Sequence, residues 1–431
     1  MKSLLLAGLL LSTLLSAAEN LFIDKDECKR LIPEMEAHLE KHILKPWFPR
    51  AVDKERGGFI QDYTEDWTEK RDGNKTLVYQ SRLTWMAAQV ALSFPEKAKE
   101  YIEYSNHGLD FLADKMWDKE NGGLFWSVDA SGKPTNERNG EKHVYGISFA
   151  LYAASVNYKA TKNPKALELA EKTFDWLEKH ACDGDKNGYF EALTAKGEHR
   201  HRFEATSDLI GTAYGFRSMN THIHLLESLT AFYEVAPTAV RKFRLHAVYD
   251  LVHDKICAPF GAMNLYFDTR WRPVPDLDSY GHDLETAYLL LEAGEMLELL
   301  TFNQTPEALV HHAIDYGWDA EHGGFYNEGA MFRKVFDKEK VWWVQAEGLN
   351  ALLIIQEKYQ KANLEYWRLF LKEWEFIKKY QVDAKHGGWI SYLEADGTPK
   401  PGQMKSDQWK DPYHQGRAMI NVIERLKKMA K

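Results

Sequence analysis

The stretch DKENGGLF, residues 118–125, is one of five copies of a short pattern spread along the chain. The others begin at Asp53 (DKERGGF), Asp185 (DKNGYF), Asp319 (DAEHGGF) and Asp383 (DAKHGGW). Successive copies lie 65, 67, 134 and 64 residues apart. The double step predicts a sixth, eroded copy near Asp254–Phe260 (DKICAPF). A fixed period with turn chemistry at each node marks a repeat architecture. The paired glycines supply positive φ for a tight turn, and the aromatic residue after them suits a short hairpin edge.

Between nodes the chain repeats one grammar. After Asp118 come YGISFALYAASVNYKA, a break at Asn163-Pro164, and KALELAEKTFDWLEKH. Both runs show the three-to-four spacing of amphipathic helices. Six helix pairs arranged as an open row would leave apolar faces uncovered at the ends. The expected fold is therefore all-α, an (α/α)6 barrel with one helix of each pair inside. A helical solenoid is the rival, but its usual periods are shorter.

Composition agrees with one large globular unit. The 431 residues are 44% hydrophobic and 13% aromatic, and the net charge of −9 offers no basic surface for nucleic acid. Residues 1–18 read as a signal peptide: Lys2, an apolar run from Leu4 to Leu15, and small residues ending at Ala18. That run is too short for a permanent membrane anchor. Residues 19–431 then form a single exported domain, periplasmic or secreted, as a monomer or a weak dimer. Cys28, Cys182 and Cys257 make no disulfide framework, although one bridge stays open. Asn74 and Asn303 match glycosylation acceptors.

Inner helices of such a barrel point the same way, so their N-termini share one rim. Their expected starts are near Leu77, His143, Phe216, Ser279, Val341 and Asp411. Those starts carry Arg82, then His143 with Tyr145, then Asn220, His224 and Glu227 on one face. Next come His282 with Glu285, Trp343 with Glu347, and His414 behind Asp411 and Pro412. His222 points away from Asn220 and reads as packing or solvent-facing. No cysteine or aspartate at ligand spacing completes a metal site with His222 and His224. Imidazoles titrate near neutrality, so one can take a proton while another gives one. An arginine can hold the oxyanion that forms when a proton leaves carbon beside an aldehyde. The pocket thus suits proton transfer on a sugar, with tryptophans against its faces.

Four segments carry a family resemblance: SMNTHIHLLE, SYGHDLETAYLL, WWVQAEGL and QWKDPYH. Through them the chain resembles the N-acylglucosamine 2-epimerase superfamily, closest to its cellobiose 2-epimerase branch. The resemblance implies epimerisation at C2 of a reducing-end sugar, glucose to mannose, through a cis-enediolate. It implies His282 and His414 as the acid/base pair and Glu285 tuning His282. Arg82, with His224 and Tyr145, would hold the enediolate. Asn220, Trp343, Glu347 and Trp409 would bind substrate, and no metal, nucleotide or other cofactor is implied. Ile147 and Tyr288 depart from the branch, which carries Gln and often Trp there, and both are expected to touch the substrate region. The alternatives are a monosaccharide epimerase or isomerase, a glycoside hydrolase using Glu285 and Glu347, and a carbohydrate-binding protein without activity.

Overall fold

A computed structural model describes residues 23–184, 188–201, 207–299, 303–332, 335–359 and 364–431. Residues 1–18, read above as a signal peptide, and Asp185, read as a node residue, lie outside the described residues. Among those described, twelve helices exceed a single turn. Six form the inner ring: α2 (Leu77–Ser93), α4 (Val144–Thr161), α6 (Met219–Val235), α8 (Tyr280–Met296), α10 (Trp342–Lys358) and α12 (Tyr413–Met429). Six lie outside: α1 (Lys25–His38), α3 (Ala98–Phe111), α5 (Pro164–Trp176), α7 (Ala239–Leu251), α9 (Thr305–His312) and α11 (Glu365–Phe376). This is the (α/α)6 barrel that the spacing predicts.

Sequence decides which helix goes where. α4 is apolar or small-residued around most of its circumference and is buried along its first fourteen residues, Val144–Asn157. α5 instead buries one stripe, Ala166, Leu169, Ala170, Thr173 and Phe174, and its Asn163 cap accepts the Lys165 N–H with Pro164 in the first turn. Each outer helix runs into a π turn before its node, as α3 does at Leu112–Met116.

The nodes share one construction. Asp53 Oδ1 accepts the N–H groups of Glu55 and Arg56, while Gly57 and Gly58 take φ of 82° and 66°. Its other oxygen pairs with Lys75 Nζ at 2.7 Å, just before α2. The same pair recurs as Asp118–Lys142 (2.7 Å), Asp183–Arg217 (2.6 Å), Asp319–Lys340 (2.7 Å) and Asp383–Lys405 (2.5 Å). Two node readings therefore need correction. In the third copy Cys182 pairs with Tyr189 and Asp183 with Gly188, which puts Asp183 at the place that Asp53 and Asp118 hold in the first two. In the fourth, Cys257 bridges Met263, so the node occupies Ala258–Met263 and Asp254 sits in the preceding π turn. Backbone pairing defines the turn, and here its aspartate has become Ala258.

A two-residue strand precedes most inner helices and pairs with the strand after the next node. Thus Lys75–Thr76 pairs with Ser127–Val128, and Lys340–Val341 with Tyr392–Leu393. The last step returns to the first: Ser406 bridges Tyr63, whose N–H donates to the Ser406 carbonyl at 2.9 Å. Inside, α12 packs on both α10 and α2, and α1 packs on α12. The ring is closed. These strands also shift most helix starts by one to three residues beyond the sequence expectation, as at Met219 for Phe216.

The three cysteines are free thiols. Asn303 is engaged in the fold, donating to Tyr249 Oη and accepting from the Thr305 amide. Among the described residues no helix is long and apolar enough to cross a membrane.

Candidate active site

The first turns of α8 and α12 bring two histidines to one tryptophan. Ser279 has the extended backbone of an N-cap, yet its hydroxyl makes no capping bond. It lies 2.8 Å from His282 Nδ1 instead. The His282 ring packs on Trp343 of α10 with centroids 4.7 Å apart. Burial pushes its pKa down to about 4, opposed by the charge of Glu285 and reinforced by His224. A neutral imidazole results.

His414 approaches Trp343 from α12, at 5.5 Å between centroids. Asp411 Oδ1 accepts the Tyr413 N–H and fixes the start of that helix. His414 Nδ1 lies 2.7 Å from Glu347 Oε1 and 3.8 Å from Glu285 Oε1. Burial holds this imidazole well below its usual pKa; Glu285 opposes that shift, while Arg82 and Arg417 add to it. Because a carboxylate only accepts, Nδ1 carries the proton and Nε2 keeps its lone pair. Both rings therefore pack on Trp343, each with one nitrogen fixed by a different partner.

Beneath them lies Arg417, which the sequence reading missed. Its guanidinium is paired with Glu227, Glu285 and Glu347, the last two at 2.5 and 2.7 Å. Nη1 also donates to Tyr413 Oη, which in turn donates to Glu227 at 2.5 Å. All these groups are buried, so one cation holds three carboxylates in a fixed array. Its signal was present in YHQGRA: Arg417 follows His414 by three residues, on the same helical face.

The structure gives two of the expected site carboxylates specific partners. Glu285 acts on His282 by charge, without a hydrogen bond to it, and bonds Arg417. Glu347, expected to bind substrate, is also the partner of His414 through Oε1, while its Oε2 has no hydrogen-bond partner. Helical spacing identifies a shared face but not which neighbouring helix a side chain meets.

Arg82 enters from α2. Nη2 donates to Tyr145 Oη at 3.2 Å, Nη1 lies 3.5 Å from Asp411, and the guanidinium stacks over Phe149 and Tyr413 at 4.4 and 4.7 Å. His224 packs against Phe149 and Tyr145 at 4.6 and 5.3 Å, its Nδ1 3.0 Å from Glu227. Trp409 lies 6.3 Å from Tyr145. Asn220 stands one turn before His224, and its buried Oδ1 has no hydrogen-bond partner. Donors and aromatic faces thus surround the two imidazoles.

Other candidates fall outside this cluster. Tyr288 lies two turns further along α8 and lines a separate cavity of about 520 Å³ with Glu292 and Glu424; Arg417 and Glu227 stand between that cavity and the imidazoles. Ile147 is fully buried in the apolar core. Neither meets the expectation of a substrate contact, because helical periodicity does not report depth. His222 accepts the Tyr189 N–H and contacts the Ser218 carbonyl, as packing requires. His143 lies 3.0 Å from Asp208 and accepts the Tyr145 N–H. Glu285, Glu347 and His414 are near enough to share a metal ion, but Arg417 already supplies their positive partner.

Residues 58–418 match the model of the N-acylglucosamine 2-epimerase (GlcNAc 2-epimerase) family. The chain belongs to that family. Cellobiose 2-epimerase of Bacteroides fragilis is 32% identical to this family member over 397 residues, covering 90% of this chain and 98% of the relative. Cellobiose 2-epimerase of Dictyoglomus turgidum is 31% identical, covering 93% and 100%. Among solved structures, cellobiose 2-epimerase of Bacillus thermoamylovorans superposes with a TM-score of 0.84 at 28% identity, covering 92% of this chain and all of that one. A protein of Marinomonas mediterranea named D-mannose isomerase is 25% identical over 411 residues, covering 91% and 97%. This epimerase-family chain is an isomerase acting on sugars.

Proposed function

We propose that the enzyme inverts C2 of the reducing-end unit of a β-1,4-linked disaccharide, interconverting glucose and mannose ends, with His282 and His414 as the acid/base pair. The observation that carries this reading is the placement of two neutral imidazoles beside Trp343, one fixed by Glu347 and the other by Ser279. In the open-chain sugar the C2 proton is acidified by the C1 aldehyde. His414 Nε2 removes it, and the C–H electron pair moves into a C1–C2 double bond as charge passes to O1. Arg82 stands to hold that oxyanion, and its burial strengthens the interaction. The imidazolium left on His414 faces Glu347 and Glu285. After rotation of the enediolate, His282 gives its Nε2 proton to the opposite face of C2, and the proton held by His414 returns to His282 through solvent, so both rings end neutral.

Ser279 allows His282 to serve in both directions. A hydroxyl can accept from Nδ1–H, leaving Nε2 bare, or donate to Nδ1, leaving Nε2 protonated. Trp343 and Trp409 offer faces for the sugar rings, and Asn220 offers an unsatisfied acceptor to a hydroxyl. The relatives' names support the disaccharide. The apolar N-terminal segment supports export, which N-terminal sequencing of the mature protein checks: an unprocessed Met1 rejects it.

The test is incubation with cellobiose, mannobiose, glucose and mannose in deuterated water, followed by NMR. Deuterium at an inverted C2 supports the proposal. A ketose product would instead indicate aldose–ketose isomerisation, as the name of the Marinomonas relative suggests, and glycosidic cleavage would reject both.

A further inference from the structure

The fourth node differs from the other five in charge. Each of the others joins a turn aspartate to a lysine or arginine that precedes the inner helix. At the fourth, the aspartate is Ala258 and the position of the cation is taken by Asp278, just before α8. A carboxylate now occupies the place where the fold elsewhere buries a positive charge.

Two further groups converge on it. Asp283 comes from the first turn of α8, and His312 is the last residue of α9. His312 Nδ1 lies 2.7 Å from Asp283 Oδ2 and 3.6 Å from Asp278 Oδ2. One ligand atom from each residue falls within 4.8 Å of the others. Relative exposures are 1% for Asp278, 0% for Asp283 and 3% for His312. Both oxygens of Asp278 and Oδ1 of Asp283 have no hydrogen-bond partner. The amides of Met263 and Ser279 face Asp278 without reaching hydrogen-bonding geometry. Among the described residues, His312 is the sole ionic partner of either carboxylate.

Buried carboxylate oxygens without donors are costly unless a proton or a cation meets them. We propose that Asp278, Asp283 and His312 bind one divalent first-row metal ion, of the zinc or manganese class, as a structural site distinct from the catalytic cluster. An imidazole among the ligands favours these metals over calcium or magnesium, whose sites are built from oxygen. On binding, the single ring proton of His312 moves to Nε2, so that Nδ1 offers its lone pair to the ion and the hydrogen bond that Nε2 accepts from the Phe332 amide at 3.4 Å is given up. The ion would tie the strand before α8, the first turn of α8 and the end of α9 at one point. Asp283 adjoins His282, so the same ion would steady the turn that carries a catalytic imidazole.

The experiment is metal analysis of the full chain, purified without chelator, followed by exhaustive dialysis against EDTA. The expected result is one equivalent of zinc or manganese per chain, absent from Asp278→Asn and His312→Gln. Chelation should lower the melting temperature of the wild type by several degrees, and added Zn2+ or Mn2+ should restore it. The double variant Ala258→Asp/Asp278→Lys rebuilds the ion pair of the other nodes and should lose the response to EDTA. Trace metal only, with a melting temperature indifferent to EDTA and to both ions, overturns the proposal in favour of a shared proton. Undiminished metal in both single variants overturns it too, by placing the ion elsewhere. Should a variant fail to fold, the wild-type occupancy and chelation response still decide.

Discussion

Glu347 fixes which nitrogen of His414 carries a proton, and that is a test of the mechanism at the residue scale. Glu347→Gln keeps the side-chain shape but allows its amide to donate, so the ring can adopt the wrong tautomer. The expected outcome is a fall in kcat of about a hundredfold or more with little change in KM. Unchanged kcat would remove Glu347 from the acid/base apparatus. The pH dependence follows from the same burial. His282 is held near pKa 4 and His414 also well below its usual value, so both stay neutral down to acid pH. The acid limb of kcat/KM should therefore lie below pH 6.5 and extend toward 4; a limb at 6.5 or above contradicts it. Arg417 belongs to this scale as well. Arg417→Met leaves three buried carboxylates without their cation, and urea denaturation should show a loss of about 3–5 kcal/mol. The histidines and Glu285 were legible because resemblance and spacing mark them. Arg417 was not, because its three partners lie on other helices and no local pattern announces them.

The repeated node is the element that sets where each inner helix begins. Its aspartate closes the turn with one oxygen and holds the strand cation with the other, which couples a local turn to a neighbouring helix start. Lys142→Met should cost about 3 kcal/mol by leaving Asp118 buried and unpaired. Adding Asp118→Asn should recover part of that loss, and a stability equal to wild type in the single variant would deny the coupling. Glycine pairs and aspartates made four nodes readable directly from the chain. The third and fourth misled because aspartate identity was used to place the turn, whereas backbone pairing places it. Asp254 lies outside that pairing, and the positions equivalent to Asp53 hold Asp183 and Ala258. Tyr288 shows the corresponding limit of helical periodicity: it lies two turns past the imidazoles, on the far side of Arg417.

At the scale of the molecule, closure follows from counting, since six pairs with a constant period leave two uncovered faces unless the ends meet. The contact between α12 and α2 and the Ser406–Tyr63 bridge supply that meeting. An open stack of repeats can melt from its ends, but a closed ring has none to fray. Calorimetry should accordingly show one unfolding transition, and a stepwise loss of repeats would argue against the ring as the cooperative unit. The active site depends on the same closure: Arg82 from the first inner helix meets Asp411 and Tyr413 at the last, so a chain shortened before Asp411 has no complete pocket. Finally, the seam between α12 and α1 is built with the same strand bridge and helix contact as the internal junctions. The fold is therefore indifferent to where the polymer is cut. A circular permutant, with the old ends joined by a short flexible linker and new ones opened in the turn at residues 94–97, should assemble the same pocket from a rearranged reading order.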